Sequence, residues 1–325
     1  MSLSPPDACR ICGAAEFDAP VLAREMMFGT REEFVYARCQ SCSTLQIGQV
    51  PDDLGRFYAG SAYYSFNDRR TDPAWKRWLK RMATAGMIGR PEAYPTGSGP
   101  VDRIRRGAEP WTALIGGLRK DSALLDVGCG EGTRLQALAE LGFGNLTGID
   151  PFLPDNKAGI APSGVKLIRG DLLTHEGRYD CITMHHSLEH FADPAAMLHA
   201  ARGLLVPGGK VFVRLPLFQP AIWERFGVDW AQLDAPRHLY LFSPQGFADF
   251  AASNGFECVA SGFDTLGWSL AWSEAYAQGI SMHDRDGQRN ALPFSPRQLA
   301  EFEAEARALN ADREGDQGYF VLQPA

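Results

Sequence analysis

Two Cys-x-x-Cys pairs, Cys9/Cys12 and Cys39/Cys42, lie within the first 42 residues of the 325-residue chain. Four thiolates presented on two tight turns are the set that closes a tetrahedral zinc site to water, and such a site is structural rather than catalytic. Cys9, Cys12, Cys39 and Cys42 are therefore the candidate zinc ligands. The 26 residues between the pairs exceed the common gap, and an intervening hairpin can absorb the excess. Gly13 follows the first pair directly, as a ribbon turn requires. Redox chemistry is the competing reading, but a duplicated pair in a short β-rich segment, with no thioredoxin-like βαβ unit, speaks against it. The other cysteines, Cys129, Cys181 and Cys258, sit among apolar neighbours, and an odd total argues against a complete disulfide framework.

A second chemistry resides in Leu124-Leu125-Asp126-Val127-Gly128-Cys129-Gly130-Glu131-Gly132. An apolar strand ends in an acid, and a glycine-rich turn leads into a helix. Glycine lets the backbone approach a ligand with no Cβ in the way. The next strand ends in Asp150, 20 residues past Gly130, where a carboxylate can accept protons from both ribose hydroxyls. A dinucleotide fingerprint needs its third glycine one position later than Gly132. An acid before the loop repels a pyrophosphate and suits a cationic ligand, which S-adenosylmethionine is. The third strand runs into Arg169-Gly170-Asp171-Leu172, placing Asp171 and Leu172 at the adenine end.

Asp126-Val127-Gly128-Cys129-Gly130-Glu131-Gly132, Gly148-Ile149-Asp150, Gly170-Asp171 and the later Leu204-Leu205-Val206-Pro207-Gly208-Gly209-Lys210 resemble the successive motifs of class I S-adenosylmethionine-dependent methyltransferases. The resemblance covers about residues 120 to 215. It implies a Rossmann-like, mostly parallel, seven-stranded sheet with an antiparallel last strand, preceded here by a small zinc-ribbon-like module. The implied cofactor-binding residues are Asp126, Gly128, Gly130, Asp150, Asp171, Leu172 and His185, with Tyr64 closing over the ligand. One departure is visible: 152–164 carries two prolines and two glycines where the family often has a helix, so a loop or single turn is expected.

His185-His186-Ser187-Leu188-Glu189-His190 follows the fourth strand and resembles the Leu-Glu-His segment of small-molecule and sugar methyltransferases. Three roles compete for it. One is proton abstraction by histidine, which titrates near neutrality. Another is a divalent metal held by His186, Glu189 and His190, as in some quinone-precursor O-methyltransferases that look similar here. The third is architectural. Asp234-Ala235-Pro236-Arg237-His238-Leu239-Tyr240 resembles a segment of polysaccharide- and deoxysugar-pathway enzymes in which a histidine faces the acceptor. His238 is then the expected general base, oriented by Arg237 or Asp234, with Trp223, Trp230 and Tyr240 lining a sugar site. The Asn- or Asp-Pro-Pro-aromatic segment of nucleic-acid amino-methylases is absent.

These groups need a scaffold. Apolar runs at 123–127, 146–149, 165–168, 180–184 and 210–215, alternating with helical stretches such as Arg134 to Leu141 and Pro194 to Leu205, imply a doubly wound sheet. Later helices are expected at Pro244 to Asn254 and Pro296 to Leu309, and strands at 256–263 and 318–322. The division is 1–60 zinc module, 61–101 aromatic and helical linker or lid, and 102–325 methyltransferase domain with a substrate insertion at about 216–243. Within the linker, Pro73 to Met82 is a helix carrying Lys76, Arg77, Lys80 and Arg81.

Net charge −7 disfavours a general polyanion binder, and no apolar run is long enough to span a bilayer. The N-terminus lacks a secretory pattern, so the expectation is a soluble, cytoplasmic protein. The expected function is methyl transfer to a small molecule or glycan, at a hydroxyl or ring carbon of a sugar or nucleotide-sugar. An RNA or protein methyltransferase docking through its zinc module, and a non-catalytic cofactor-binding protein, are the competing readings.

Overall fold

The computed structural model describes residues 5–58, 72–96, 99–284 and 286–325. The N-terminal module is an antiparallel meander of β1 (Val21–Arg24), β2 (Glu33–Arg38) and β3 (Leu45–Ile47). It leads through α1 (Ala74–Thr84), α2 (Pro100–Arg106) and α3 (Trp111–Leu114) to the main sheet. That sheet begins with β4 (Leu124–Val127), α4 (Thr133–Leu141), β5 (Leu146–Asp150), β6 (Gly159–Ile160), β7 (Lys166–Arg169) and β8 (Tyr179–His185). It continues with α5 (Pro194–Leu204), β9 (Leu205–Pro216), α6 (Pro220–Phe226), β10 (Tyr240–Leu241), α7 (Pro244–Ser253) and β11 (Phe256–Phe263). The chain closes with α8 (Gly267–Ala277), α9 (Pro296–Ala311) and β12 (Gln317–Pro324).

The main sheet has the order β11-β12-β9-β8-β4-β5-β7-β6. Strands β9, β8, β4, β5 and β7 are parallel, and β12 inserts antiparallel between β9 and β11. This is the expected seven-stranded arrangement plus an eighth strand of two residues, β6, antiparallel to β7 at the edge. The strands that the sequence shows as unbroken apolar runs are buried on both faces: every residue of β4 and β5 is buried. The stretch after β5 forms only a single 3-10 turn, Asp155–Lys157, before β6, as its prolines and glycines require.

Helix ends follow local chemistry. The side chains of Asp193, Ser243 and Ser295 cap the N-termini of α5, α7 and α9, each with proline in the first turn. α8 has no counterpart in the sequence expectations. It is apolar all round and almost wholly buried, so it carries no periodic signal.

β10, far along the chain, pairs with β3 and completes the four-stranded sheet of the N-terminal module (Tyr240 opposite Gln46, Leu241 opposite Leu45). The insertion after β9 thereby joins the two parts of the molecule. Ser243 Oγ donates to the Cys42 carbonyl at 2.9 Å, and Tyr36 Oη donates to the His238 carbonyl at 2.8 Å. Among the described residues no helix is long and apolar enough to cross a membrane.

Candidate functional site

The carboxyl ends of β4, β5, β7 and β8 surround a cavity of about 270 Å³, lined among others by Gly128, Asp150, Asp171, Leu172, His186 and His190. Gly128 has φ +73°, and a Cβ there would stand 2.6 Å from the Ser187 Cβ, so only glycine fits. The turn is pinned from the neighbouring strand. Gly130 N–H donates to Asp150 Oδ2 at 2.9 Å, and Phe152 N–H donates to Oδ1 at 2.8 Å. Burial raises the Asp150 pKa, while these two N–H groups act in the opposite direction. The carboxylate keeps lone pairs for a ligand on the cavity wall. Asp171 accepts from Leu173 N–H at 2.9 Å, capping a short turn whose Leu172 supplies apolar lining. Tyr58 stacks on Phe152, with ring centroids 5.3 Å apart and planes 10° apart, and forms another wall.

Gly128, Asp150, Asp171 and Leu172 thus line one cavity, with Gly130 tied to Asp150. Asp126 does not reach the cavity lining. It is buried beneath the loop, accepts from Thr183 Oγ1 at 2.7 Å, and burial raises its pKa to about 6. His185 turns to the opposite side of the sheet, between Trp111 and Phe212. Tyr63 and Tyr64 lie outside the described residues.

The histidines divide by what holds them. His186 directly follows β8 with φ +50°, an uncommon conformation for a residue with a Cβ. Its Nε2 accepts from Arg214 Nη1 at 2.8 Å, which leaves the proton on Nδ1, 3.5 Å from Glu189 Oε1. His186 therefore has no free lone pair for a metal, and the expected His186/Glu189/His190 set is corrected on that ground. His190 Nδ1 donates to the Arg237 carbonyl at 2.8 Å, and His238 Nδ1 donates to the Gln232 carbonyl at 2.7 Å. Both Nε2 atoms and both Glu189 oxygens are buried with no hydrogen-bond partner among the described residues. The donor atoms of Glu189, His190 and His238 lie within 4.8 Å of one another. Burial lowers the pKa of His186, His190 and His238, that of His190 to about 3, and raises that of Glu189 to about 8.

His238 is 3% exposed and does not line the cavity, so it cannot touch an acceptor there as a general base. Arg237 and Asp234 form a structural unit instead. The fully buried guanidinium of Arg237 bonds Asp234 at 2.5 Å and Glu25 of the N-terminal module at 2.9 Å, with the Phe28 ring over it at 5.2 Å. Burial disfavours the ionised form of Asp234, but Arg237 reverses this and the pKa ends lowered. Of the expected sugar-site aromatics, Trp230 and Tyr240 are core and Trp223 is half-buried. Trp230 Nε1 donates to Asp316 at 2.8 Å, Tyr240 Oη donates to the Ala192 carbonyl at 2.8 Å, and Trp223 packs against Phe218.

A second cavity, of about 420 Å³, opens over the ends of β8, β9 and β11. Tyr94, Trp111, Phe212 and Tyr319 supply its rings, and Arg106, Arg134 and Arg214 its cations. His185 reaches into it with both ring nitrogens buried and, among the described residues, without a hydrogen-bond partner. Arg214 also binds Asp264 at 2.5 Å and His186 at 2.8 Å, so it connects the two cavities. None of Tyr58, Trp111, Arg214 or Glu25 carries a local motif. Their roles come from strands and turns distant in sequence.

At the N-terminal module the two Cys turns repeat each other. Gly13 N–H donates to the Cys9 carbonyl at 2.8 Å, and Ser43 N–H to the Cys39 carbonyl at 3.0 Å, with Gly13 and Ser43 both at positive φ. Cys9 and Cys42 Sγ are 3.6 Å apart, as are Cys12 and Cys39 Sγ. All four sulfurs lie within 4.8 Å. Tetrahedral zinc with bonds of about 2.3 Å separates its sulfurs by about 3.8 Å, so the four thiols fit such an ion.

A family model described as a methyltransferase domain matches residues 101–261. The ubiquinone biosynthesis O-methyltransferase of Hydrogenovibrio crunogenus is 39% identical over 104 residues, covering 29% of this chain and 42% of that one. Its namesake from Bordetella avium is 37% identical over 124 residues, covering 35% of this chain and 50% of that one. The chain thus spans half or less of these relatives' length. Among solved structures, the cyclopropane synthase MmaA2 from Mycobacterium tuberculosis aligns with a TM-score of 0.45 at 16% identity, over 78% of this chain and 99% of that one. The matched segment contains the strand, glycine turn and acid that build the first cavity, so residues 101–261 are similar to a methyltransferase domain over the part of the chain that forms it.

Proposed function

We propose that the chain methylates a hydroxyl of a small, flat, phenol-like acceptor. The observation that carries this reading is a pair of cavities linked by the Arg214–His186 hydrogen bond, one floored by Asp150 and the glycine turn, the other walled by aromatic rings. In the first, Asp150 accepts from the ribose hydroxyls, Asp171 faces the adenine amino group, and Ile149, Leu172 and Phe191 give apolar contact. Bound there, S-adenosylmethionine supplies a methyl group activated by its sulfonium. In the second, Trp111 and Tyr319 offer faces to a ring, and His185 offers a neutral imidazole to its hydroxyl. Burial, with Arg134 and Arg214 nearby, keeps the His185 pKa well below its ordinary value.

The relatives named above act, by their names, in ubiquinone biosynthesis, which favours a hydroxyl on an aromatic ring over a sugar. Burial of Trp230 and Tyr240 speaks against the sugar-site lining that the sequence suggested. Incubation with S-adenosylmethionine and a simple catechol is expected to give the mono-methyl ether, and His185→Gln to lower kcat about a hundredfold with cofactor affinity retained. Transfer to a nucleotide-sugar but to no phenol would remove this reading.

A second reading concerns metals, because two donor sets fit them. Cys9, Cys12, Cys39 and Cys42 suit structural zinc. Glu189, His190 and His238 suit a divalent cation, since backbone carbonyls hold both imidazoles with Nε2 free, the arrangement that orients metal-binding histidines. Elemental analysis of the purified chain is expected to find zinc that Cys39→Ser removes, with a fall in thermal stability. A second metal equivalent is expected to vanish in His238→Gln alone. A metal-free chain of full stability would exclude both sites.

A further inference from the structure

Helix α1, Ala74–Thr84, places Trp75, Trp78, Leu79 and Met82 at spacings i, i+3, i+4 and i+7, one apolar stripe. A surface helix ordinarily turns such a stripe inward. This one turns it out: Trp75 is 63% exposed, Trp78 61% and Met82 60%. Its polar side grips the protein. Lys80 Nζ binds Asp72 at 2.6 Å, Arg81 Nε donates to the Glu140 carbonyl of α4 at 2.7 Å, and Thr84 is buried. α2 packs alongside, where Arg105 Nε donates to the Ala83 carbonyl at 2.8 Å and Val101 is 52% exposed.

Charge says what covers the stripe. Over residues 72–106 there are eight basic side chains and three acidic ones, within a chain of net charge −7. Lys76 and Arg81 flank the stripe on its two sides, Lys76 with its ammonium over the Trp75 ring at 5.5 Å and Arg81 held at the other edge by the Glu140 carbonyl. An apolar face bearing tryptophan, bordered by cations, is the pattern of a helix lying in the headgroup region of an anionic bilayer. Nucleic acid would call for the cationic side outward, and here that side is spent against Asp72 and α4.

We infer that α1 docks the protein peripherally on an anionic lipid surface, with Trp75, Trp78, Leu79 and Met82 entering the acyl boundary. This stands independently of the methyl-transfer reading. The test is flotation of the full chain with vesicles of phosphatidylcholine alone or mixed with phosphatidylglycerol, for the native chain and for Trp75→Ser/Trp78→Ser. The native chain is expected to float with the mixed vesicles and to be released by salt. The double variant, altered only at exposed positions, is expected to partition about tenfold less or weaker, with unchanged transfer to a water-soluble acceptor. Failure of the native chain to float at low salt, or equal flotation of the variant, overturns the inference. It is overturned equally if the variant converts a dimer to a monomer without vesicle binding, since a second copy would then cover the stripe. Loss of methyl transfer with flotation intact would count against the proposed function alone.

Discussion

Asp150→Ala is expected to weaken S-adenosylmethionine binding by at least about a hundredfold. Two hydrogen bonds from ribose hydroxyls to a carboxylate are worth roughly 1.5–3 kcal/mol each, and both vanish with the side chain. The turn suffers too, because Gly130 N–H and Phe152 N–H lose the acceptor that positions them. Asp150→Asn separates the two effects. Its single amide oxygen still accepts, but the charge is gone, so its affinity should fall between those of the parent and the alanine variant. Titration calorimetry on the three proteins, with far-ultraviolet circular dichroism to check the fold, measures this. Undiminished affinity in Asp150→Ala would mean that the cofactor does not occupy the cavity over β4 and β5.

Arg237→Met should produce the largest loss of stability, about 3–5 kcal/mol, the cost of breaking a buried ion pair by removing one partner. The guanidinium lies between Glu25 and Asp234, and both it and Glu25 have no exposed side-chain surface. Removing it leaves two carboxylates facing each other without water. Glu25 keeps hydrogen bonds from Phe28 N–H and Thr30 N–H at 2.9 and 3.0 Å, but these do not cancel its charge. Glu25→Gln combined with Arg237→Met should therefore cost less than the sum of the single changes. Urea unfolding of the four proteins in the cycle provides the coupling energy. If Arg237→Met stays within about 1 kcal/mol of the parent, a surface-like value, the module and the insertion are not joined through this charge.

The local order of the chain already shows the sheet and the cofactor loop. Strands β4, β5 and β7 are short runs closed by a glycine or an acid, and backbone geometry at Gly128 and the carboxylate of Asp150 are properties of single residues acting close to home. The Cys pairs are legible for the same reason, since each Cys turn is five residues long. The α1 stripe is likewise written in its periodicity.

Tertiary structure decided what depends on contacts between distant segments. Glu25 meets Arg237 across 212 positions, and nothing near either residue announces the other. His186 and His190 are four apart in one segment. Yet Arg214 takes the lone pair of His186, while the free pair of His190 finds its companion in His238, brought in by the insertion that β10 ties to the N-terminal module. Helix α8 is silent in the sequence because burial on every side erases periodicity. Periodicity shows α1 to be two-faced, but only the packing of its Lys80 and Arg81 side against Asp72 and α4 determines that the tryptophans look outward. A hydrogen-bonding group has no preference for a partner near it in sequence, so which donor is satisfied and which lone pair is left over is settled only when the chain has closed on itself.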